Sequence, residues 1–182
     1  HNRLGRMHVN TSGAYTSYDP SVNDTVHCLY EEPTGGLLIG GAFTTVNTQP
    51  RTKLARVDSS GTLDDTFSPT FNEDVYGICP NSTNGSYYIA GNFTLVNGAE
   101  HPYLILMNHD GTVNASFTPM PNAPVRGTLL DVYGRLIVYG EFTQIGGGAR
   151  NHIARFKTDG TLDTTFDPGT GADNDIYCAA LL

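Results

Sequence analysis

The chain has 182 residues and a mass of 19.6 kDa, with ten Lys and Arg against eighteen Asp and Glu. The formal charge of −8 repels phosphate backbones and anionic lipid heads, and no apolar stretch approaches the roughly 18 residues that span a bilayer, so neither nucleic-acid binding nor membrane insertion is expected. Twenty-one glycines and ten prolines argue against long helices, while 38% hydrophobic residues argue against disorder.

In chain order, the first residues close one repeat, with Arg6 in a third strand, a turn glycine at Gly13, and Tyr18 followed by Pro20. A first strand is expected from Val26, where Val26, Cys28 and Tyr30 alternate on one face. The run from Leu37 to Phe43 is apolar on both faces, which places it between neighbouring sheets. Lys53 to Val57 makes a third strand, Ser60-Gly61 the polar turn that closes it, and Thr62 to Phe67 a short fourth. The series recurs from Val75, with Tyr87 to Phe93, Tyr103 to Met107 and the turn Asp110-Gly111. It recurs again from Val125, with Leu136 to Phe142, Ile153 to Phe156 and the turn Asp159-Gly160, and one more first strand is expected from Ile176.

Independent landmarks keep this beat. Gly41, Gly91 and Gly140 stand 50 and 49 residues apart, each followed two residues on by Phe43, Phe93 or Phe142. Tyr18, Phe67, Phe117 and Phe166 are spaced by 49, 50 and 49, each with a proline two residues later. Three or four short strands per roughly 40 to 50 residues are what a propeller blade needs. The expected fold is therefore all-β, with β-propeller-type repeats of about 50 residues, three complete and one partial, at 3–52, 53–102, 103–151 and 152–182. The recurring glycines are expected to avoid a collision with the adjacent sheet, and the Phe column to fill the space between blades. A closed ring takes roughly four to eight blades. The chain is accordingly expected to be part of a longer one or to complete a ring with a second copy.

The blocks GGAFTTV (40–46), AGNFTLVNG (90–98) and YGEFTQIGG (139–147) alternate with IARFKTDGTLDTTFDPGTGADNDIYCAAL (153–181). Together they resemble the delta-60 repeat, a β-propeller repeat family, over essentially the whole chain. Departures are the extra residues before Gly13 and Leu106, which stands where the other copies have Arg6, Arg56 and Arg155. The resemblance implies a secreted or surface-exposed bacterial repeat protein, or a module of a phage tail or fibre, hence an extracellular, cell-surface or virion-tail location. It carries over no catalytic residue.

The chain has no GxSxG, no P-loop and no GxGxxG opening a helix, and its six histidines show no metal-site spacing; no cofactor or metal is expected. The acidic segments 58–65 and 159–167 are expected to cap turns rather than to bind calcium. Cys28, Cys79 and Cys178 are expected as small buried hydrophobes, and Gly146-Gly147-Gly148 as a loop widening. Binding falls to variable loops on a fixed framework, at 48–52, 99–102 and 147–152. The candidate residues are Glu100, His101, Arg150 and His152, with His101 and His152 in corresponding loops, and Tyr87, Tyr88, Tyr133 and Tyr139 as aromatic contacts. The expected role is a non-enzymatic structural or adhesive module whose partners are other structural proteins, further copies of itself, or a cell-surface glycan. The alternative is a propeller lyase or hydrolase acting on polysaccharide, which needs two facing carboxylates; Glu31, Glu32, Glu73, Glu100 and Glu141 suggest no particular pair.

Overall fold

The structure, a computed structural model, describes residues 20–81 and 85–181; the expectations at Arg6, Gly13, Tyr18 and the first two histidines lie outside them. Among the described residues there are fifteen strands and no helix. In the first blade, β1 (Val26–Glu31) pairs with β2 (Leu37–Gly41), a ribbon forms from β3 (Thr45–Val46) and β4 (Gln49–Pro50), and β5 (Leu54–Val57) returns along β2. The second blade repeats this with β6 (Val75–Asn81), β7 (Ser86–Gly91), β8 (Leu95–Val96), β9 (Ala99–Glu100) and β10 (Leu104–Met107). The third has β11 (Val125–Leu130), β12 (Leu136–Gly140), β13 (Gln144–Ile145), β14 (Gly148–Ala149) and β15 (Ile153–Phe156). All pairings are antiparallel, and the blades converge on their first strands, with β6 packed between β1 and β11.

The expected fourth strand shrinks to one bridge per blade, Val57 with Leu63, Met107 with Val113 and Phe156 with Leu162. It stops there because the next side chain turns the chain: Asp64 Oδ1 accepts from the Thr66 amide at 2.8 Å, and Asp163 Oδ1 from the Thr165 amide at 3.0 Å. The strand expected from Ile176 does not form. Each first strand pairs with the strand that follows it, and no described residue follows 176–181 in that position; the Ile176 amide instead donates to Gly140 O at 3.2 Å.

Every first strand carries a β-bulge at the same place, between Val26 and Cys28, Val75 and Gly77, and Val125 and Gly127. The landmark glycines lie opposite it, for a reason other than the one expected. A Cβ at Gly41 would sit 2.1 Å from Thr25 O, at Gly91 2.2 Å from Asp74 O, and at Gly140 2.5 Å from Pro124 O. The obstacle is thus the backbone entering the same blade, whose carbonyl accepts the amide just after the glycine at 2.8, 3.0 and 2.9 Å. Gly40 is the residue that meets the neighbouring blade, where a Cβ would lie 2.7 Å from Val75 Cγ1.

Phe43, Phe93 and Phe142 are fully buried, as the Phe column predicts. The second strands are buried almost throughout, because each is covered by a blade on either side or by the packed ribbon. One apolar cluster joins Leu38 and Leu54 of the first blade to Ile89 and Phe93 of the second, and another joins Tyr88, Leu104 and Leu106 to Val138 and Phe142 of the third. Tyr87, Tyr88 and Tyr139 belong to this interior, at 4, 7 and 9% exposure, so of the four tyrosines named as contacts only Tyr133 faces solvent. Their rings fill space between apolar layers that the sequence pattern alone assigns to neither side.

The sequence period and the blade are out of step. The repeat 53–102 supplies the third strand of one blade and the first two of the next, and a side-chain latch secures the crossing. Asn23 Oδ1 accepts the Thr44 and Thr45 amides at 2.9 and 3.0 Å while its Nδ2 donates to Thr44 Oγ1. Asn72 does the same with Thr94 and Leu95, and Asn122 with Thr143 and Gln144. The ribbons close through Asn47-Thr48, Asn97-Gly98 and Gly146-Gly147, all at positive φ, as a two-residue I′ hairpin requires. Gly146-Gly147-Gly148 is therefore part of a tight turn, not a loop widening.

Candidate functional site

The bulge turns one side chain per blade out at the convergent edge: His27, Tyr76 and Arg126, each directly after the valine that opens the strand. Tyr177, after Ile176, continues the row. The His27 and Tyr76 rings meet edge to face at 5.3 Å, and the Arg126 guanidinium lies 4.7 Å from the Tyr76 ring and 5.1 Å from that of Tyr177. The row is a continuous strip of aromatic and cationic surface running across successive blades, ending at Tyr177, which is 67% exposed.

Charged groups flank the strip in pairs. Lys53 Nζ lies 3.0 Å from Asp74 Oδ1 and donates to Ala42 O, His27 Nε2 lies 3.5 Å from Asp74 Oδ2, and Arg126 is ion-paired with Glu141. His152 Nδ1 donates to Gly140 O at 3.1 Å and lies 3.6 Å from Asp175 Oδ1. Lys53, Tyr103 and His152 hold one structural position, and all three take left-handed φ, 69°, 64° and 65°. A strained residue recurs here in every blade although none is glycine, which marks the position as held by its surroundings. A backbone bond back to each buried Phe explains this: the amides of Lys53, Tyr103 and His152 donate to Phe43, Phe93 and Phe142 O at 3.0, 2.8 and 2.8 Å.

The four residues chosen from sequence are not gathered into one site. Glu100 and His101 line an apolar groove of about 420 Å³ on the second blade, with Phe117, Pro119 and Met120. Arg150 lines the matching groove of the third blade, about 370 Å³, and His152 lies at the convergent edge. His101 corresponds to Arg51 and Arg150, whose amides all donate to a ribbon threonine, and not to His152. The error is one of alignment by residue type: the two histidines are two structural columns apart.

A second cluster lies at the seam between the first two blades. The Tyr87 hydroxyl donates to Glu32 Oε1 at 2.5 Å, His109 Nε2 lies 3.6 Å from the same oxygen, and Arg56 Nη1 donates to His109 O at 2.8 Å. Burial first, and the Glu32 carboxylate next, push the Tyr87 hydroxyl well above its ordinary range. Arg56 also pairs with Asp64 and stacks on Phe67, 4.4 Å from its centroid. A cleft of about 390 Å³ opens beside this cluster. Glu32 is only 9% exposed and its partnership was missed. A signal existed: Tyr87 breaks a column in which Leu37 and Leu136 stand, and a polar residue in an apolar column needs a partner.

The acidic segments are turn caps. Asp58 Oδ1 accepts from the Ser60 and Thr62 amides and the Ser60 hydroxyl, and Asp110, Asp159 and Asp163 cap in the same way with Thr112, Thr161 and Thr165. Of the cysteines, Cys79 is buried and burial pushes the Cys28 thiol up to about 12, but Cys178 is exposed, contrary to expectation, because the segment carrying it joins no sheet.

Three stretches of the chain, 32–67, 83–117 and 134–166, match a family described as "Domain of unknown function (DUF5122) beta-propeller". Each match ends at the Phe that follows the fourth-strand bridge, Phe67, Phe117 or Phe166. No curated protein matches the chain.

Proposed function

We propose that this chain, which belongs to the DUF5122 beta-propeller domain family, is a non-enzymatic binding and assembly module that holds its partner along the convergent edge of its blades. The observation that carries this is the strip His27, Tyr76, Arg126 and Tyr177. The backbone position repeats from blade to blade while its chemistry varies, as expected of a framework that presents a recognition surface. Aromatic faces with paired carboxylates and cations beside them suit the apolar faces and hydroxyls of sugar rings, so the favoured ligand class is a cell-surface glycan. The chain's likeness to delta-60 repeats supports reading it as a module of a bacterial surface or a phage tail, with other structural proteins or copies of itself as partners.

Binding to a panel of surface glycans tests this. Tyr76→Ala and Arg126→Ala should each weaken binding by at least about tenfold while leaving the melting temperature nearly unchanged. Hydrolysis or elimination products from any polysaccharide, lost on substituting one carboxylate such as Glu32, would overturn it in favour of a polysaccharide-acting enzyme.

A further inference from the structure

The outer grooves of the three blades are built alike, and their differences point to a ligand. In the first blade, the Arg51 amide donates to Thr44 O at 3.0 Å and its Nη1 to the preceding carbonyl, Pro50 O, at 2.7 Å. In the third, Arg150 repeats both contacts, its amide to Thr143 O at 2.9 Å and its Nη1 to Ala149 O at 2.7 Å. The two guanidinium groups are therefore aimed alike. Arg51 Nη2 donates to Asp65 Oδ1 at 2.8 Å and lies 3.4 Å from Asp64 O. Beside Arg150, Thr164 stands where Asp65 stands, and among the described residues no carboxylate is paired with the guanidinium. The second blade has lost both halves of the pair, with His101 and Ala115 in the same positions and an apolar groove. Only the third blade keeps the cation without its anion, and it faces a cavity of about 370 Å³.

We propose that Arg150 binds the carboxylate of an acidic sugar, which takes in the third blade the place Asp65 fills in the first. A guanidinium prefers a carboxylate because two N–H donors match its two oxygens. Thr164, Thr170 and Asn151 line the rest of the cavity with groups that meet hydroxyls, and Phe166 offers a ring. Asp167 lies in the same groove, but its Oδ1 accepts the Gly169 amide at 2.8 Å and is committed to the turn. Its charge, with the chain's net −8, restricts the groove to a singly charged ligand and works against polyanions. The choice of a sugar rests on the glycan binding proposed above; the carboxylate rests on Arg150 alone.

Titration of the full chain with glucuronate and with glucose, followed by NMR shifts at the Arg150 groove, tests this. Glucuronate should bind and glucose should bind at least about tenfold more weakly. Arg150→Gln should remove the preference. Thr164→Asp should abolish glucuronate binding by supplying an internal carboxylate, and Asp65→Thr should open a second site at Arg51; melting curves show that each variant folds. Equal affinity for the two sugars, or glucuronate binding unchanged in both Arg150→Gln and Thr164→Asp, overturns the proposal. Neutral glycans that bind in a Tyr76-dependent way with no Arg150-dependent preference overturn this site and leave the convergent-edge reading standing. Acetate binding that depends on Arg150, with no saccharide bound anywhere, overturns the sugar in both.

Discussion

Single carboxylates do much of the local work in this chain, and Asp163 shows how. The Thr165 hydroxyl holds its carboxyl down at about 2 against the effect of burial, and Arg155 Nε donates to it at 2.8 Å. Its unfolded value is about 3.9. Between these the unfolded chain binds more protons than the folded one, so the stabilisation is complete above about pH 4 and is lost as pH falls through about 2. Asp163→Asn should therefore lower the urea midpoint at about pH 6 and converge on the parent near pH 2. An equal loss at every pH would show that Asp163 acts by shape rather than charge. The departure at Leu106 is explained at this scale as well. Arg56 pairs with Asp64 and Arg155 with Asp163, whereas Leu106 is matched by Asn114, which turns instead to Asn108 Oδ1 at 3.1 Å. Loss of the cation is accompanied by loss of the anion, so no buried charge is left alone.

At the scale of the element, the blade depends on its bulge, its glycine and its Phe together. Phe93 is fully buried and meets Phe71 edge to face at 4.9 Å, within the cluster shared by the first and second blades. Phe93→Ala should cost about 3 to 5 kcal/mol in urea unfolding, because the ring leaves a cavity the flanking sheets cannot close. An unchanged midpoint would mean that this column is not the core. The bridge between Phe71 and Val96, like that between Val22 and Val46, ties each crossing segment to the next ribbon. Pro121 stands in the same place in the third blade without the bridge: the Asn122 amide still donates to Gln144 O at 3.1 Å, but the Gly146 amide goes to Pro119 O rather than to Met120, which takes left-handed φ, 45°.

Across the whole molecule, each blade packs on its neighbours, so stability divides between blades and seams. The first seam contains the buried Glu32 and Tyr87 contact, which has no counterpart at the second, where Leu136 replaces the tyrosine. Tyr87→Phe removes the hydroxyl donor and should cost about 1 to 3 kcal/mol, since the nearly buried Glu32 carboxylate loses the hydrogen bond of that hydroxyl. In hydrogen exchange the loss of protection should be greatest in β1, β2 and β5 and least in β15. Equal loss in all three blades would show that they open as one unit.

The repeat length, the strands opening at Val26, Val75 and Val125, the turn glycines and the Phe core were legible in the sequence, because each depends on local geometry or on a periodic need for burial. The four candidate residues were not, since their roles depend on which strand lies beside which. His101 and His152 look alike in sequence but differ in structural column, and the aromatic strip joins residues some fifty positions apart that become neighbours only where the blades converge. Local patterning determined what each blade is made of. Only the packing of blade on blade decided which of its side chains are buried, which are paired, and which, like Arg150, have a charge with no carboxylate partner among the described residues.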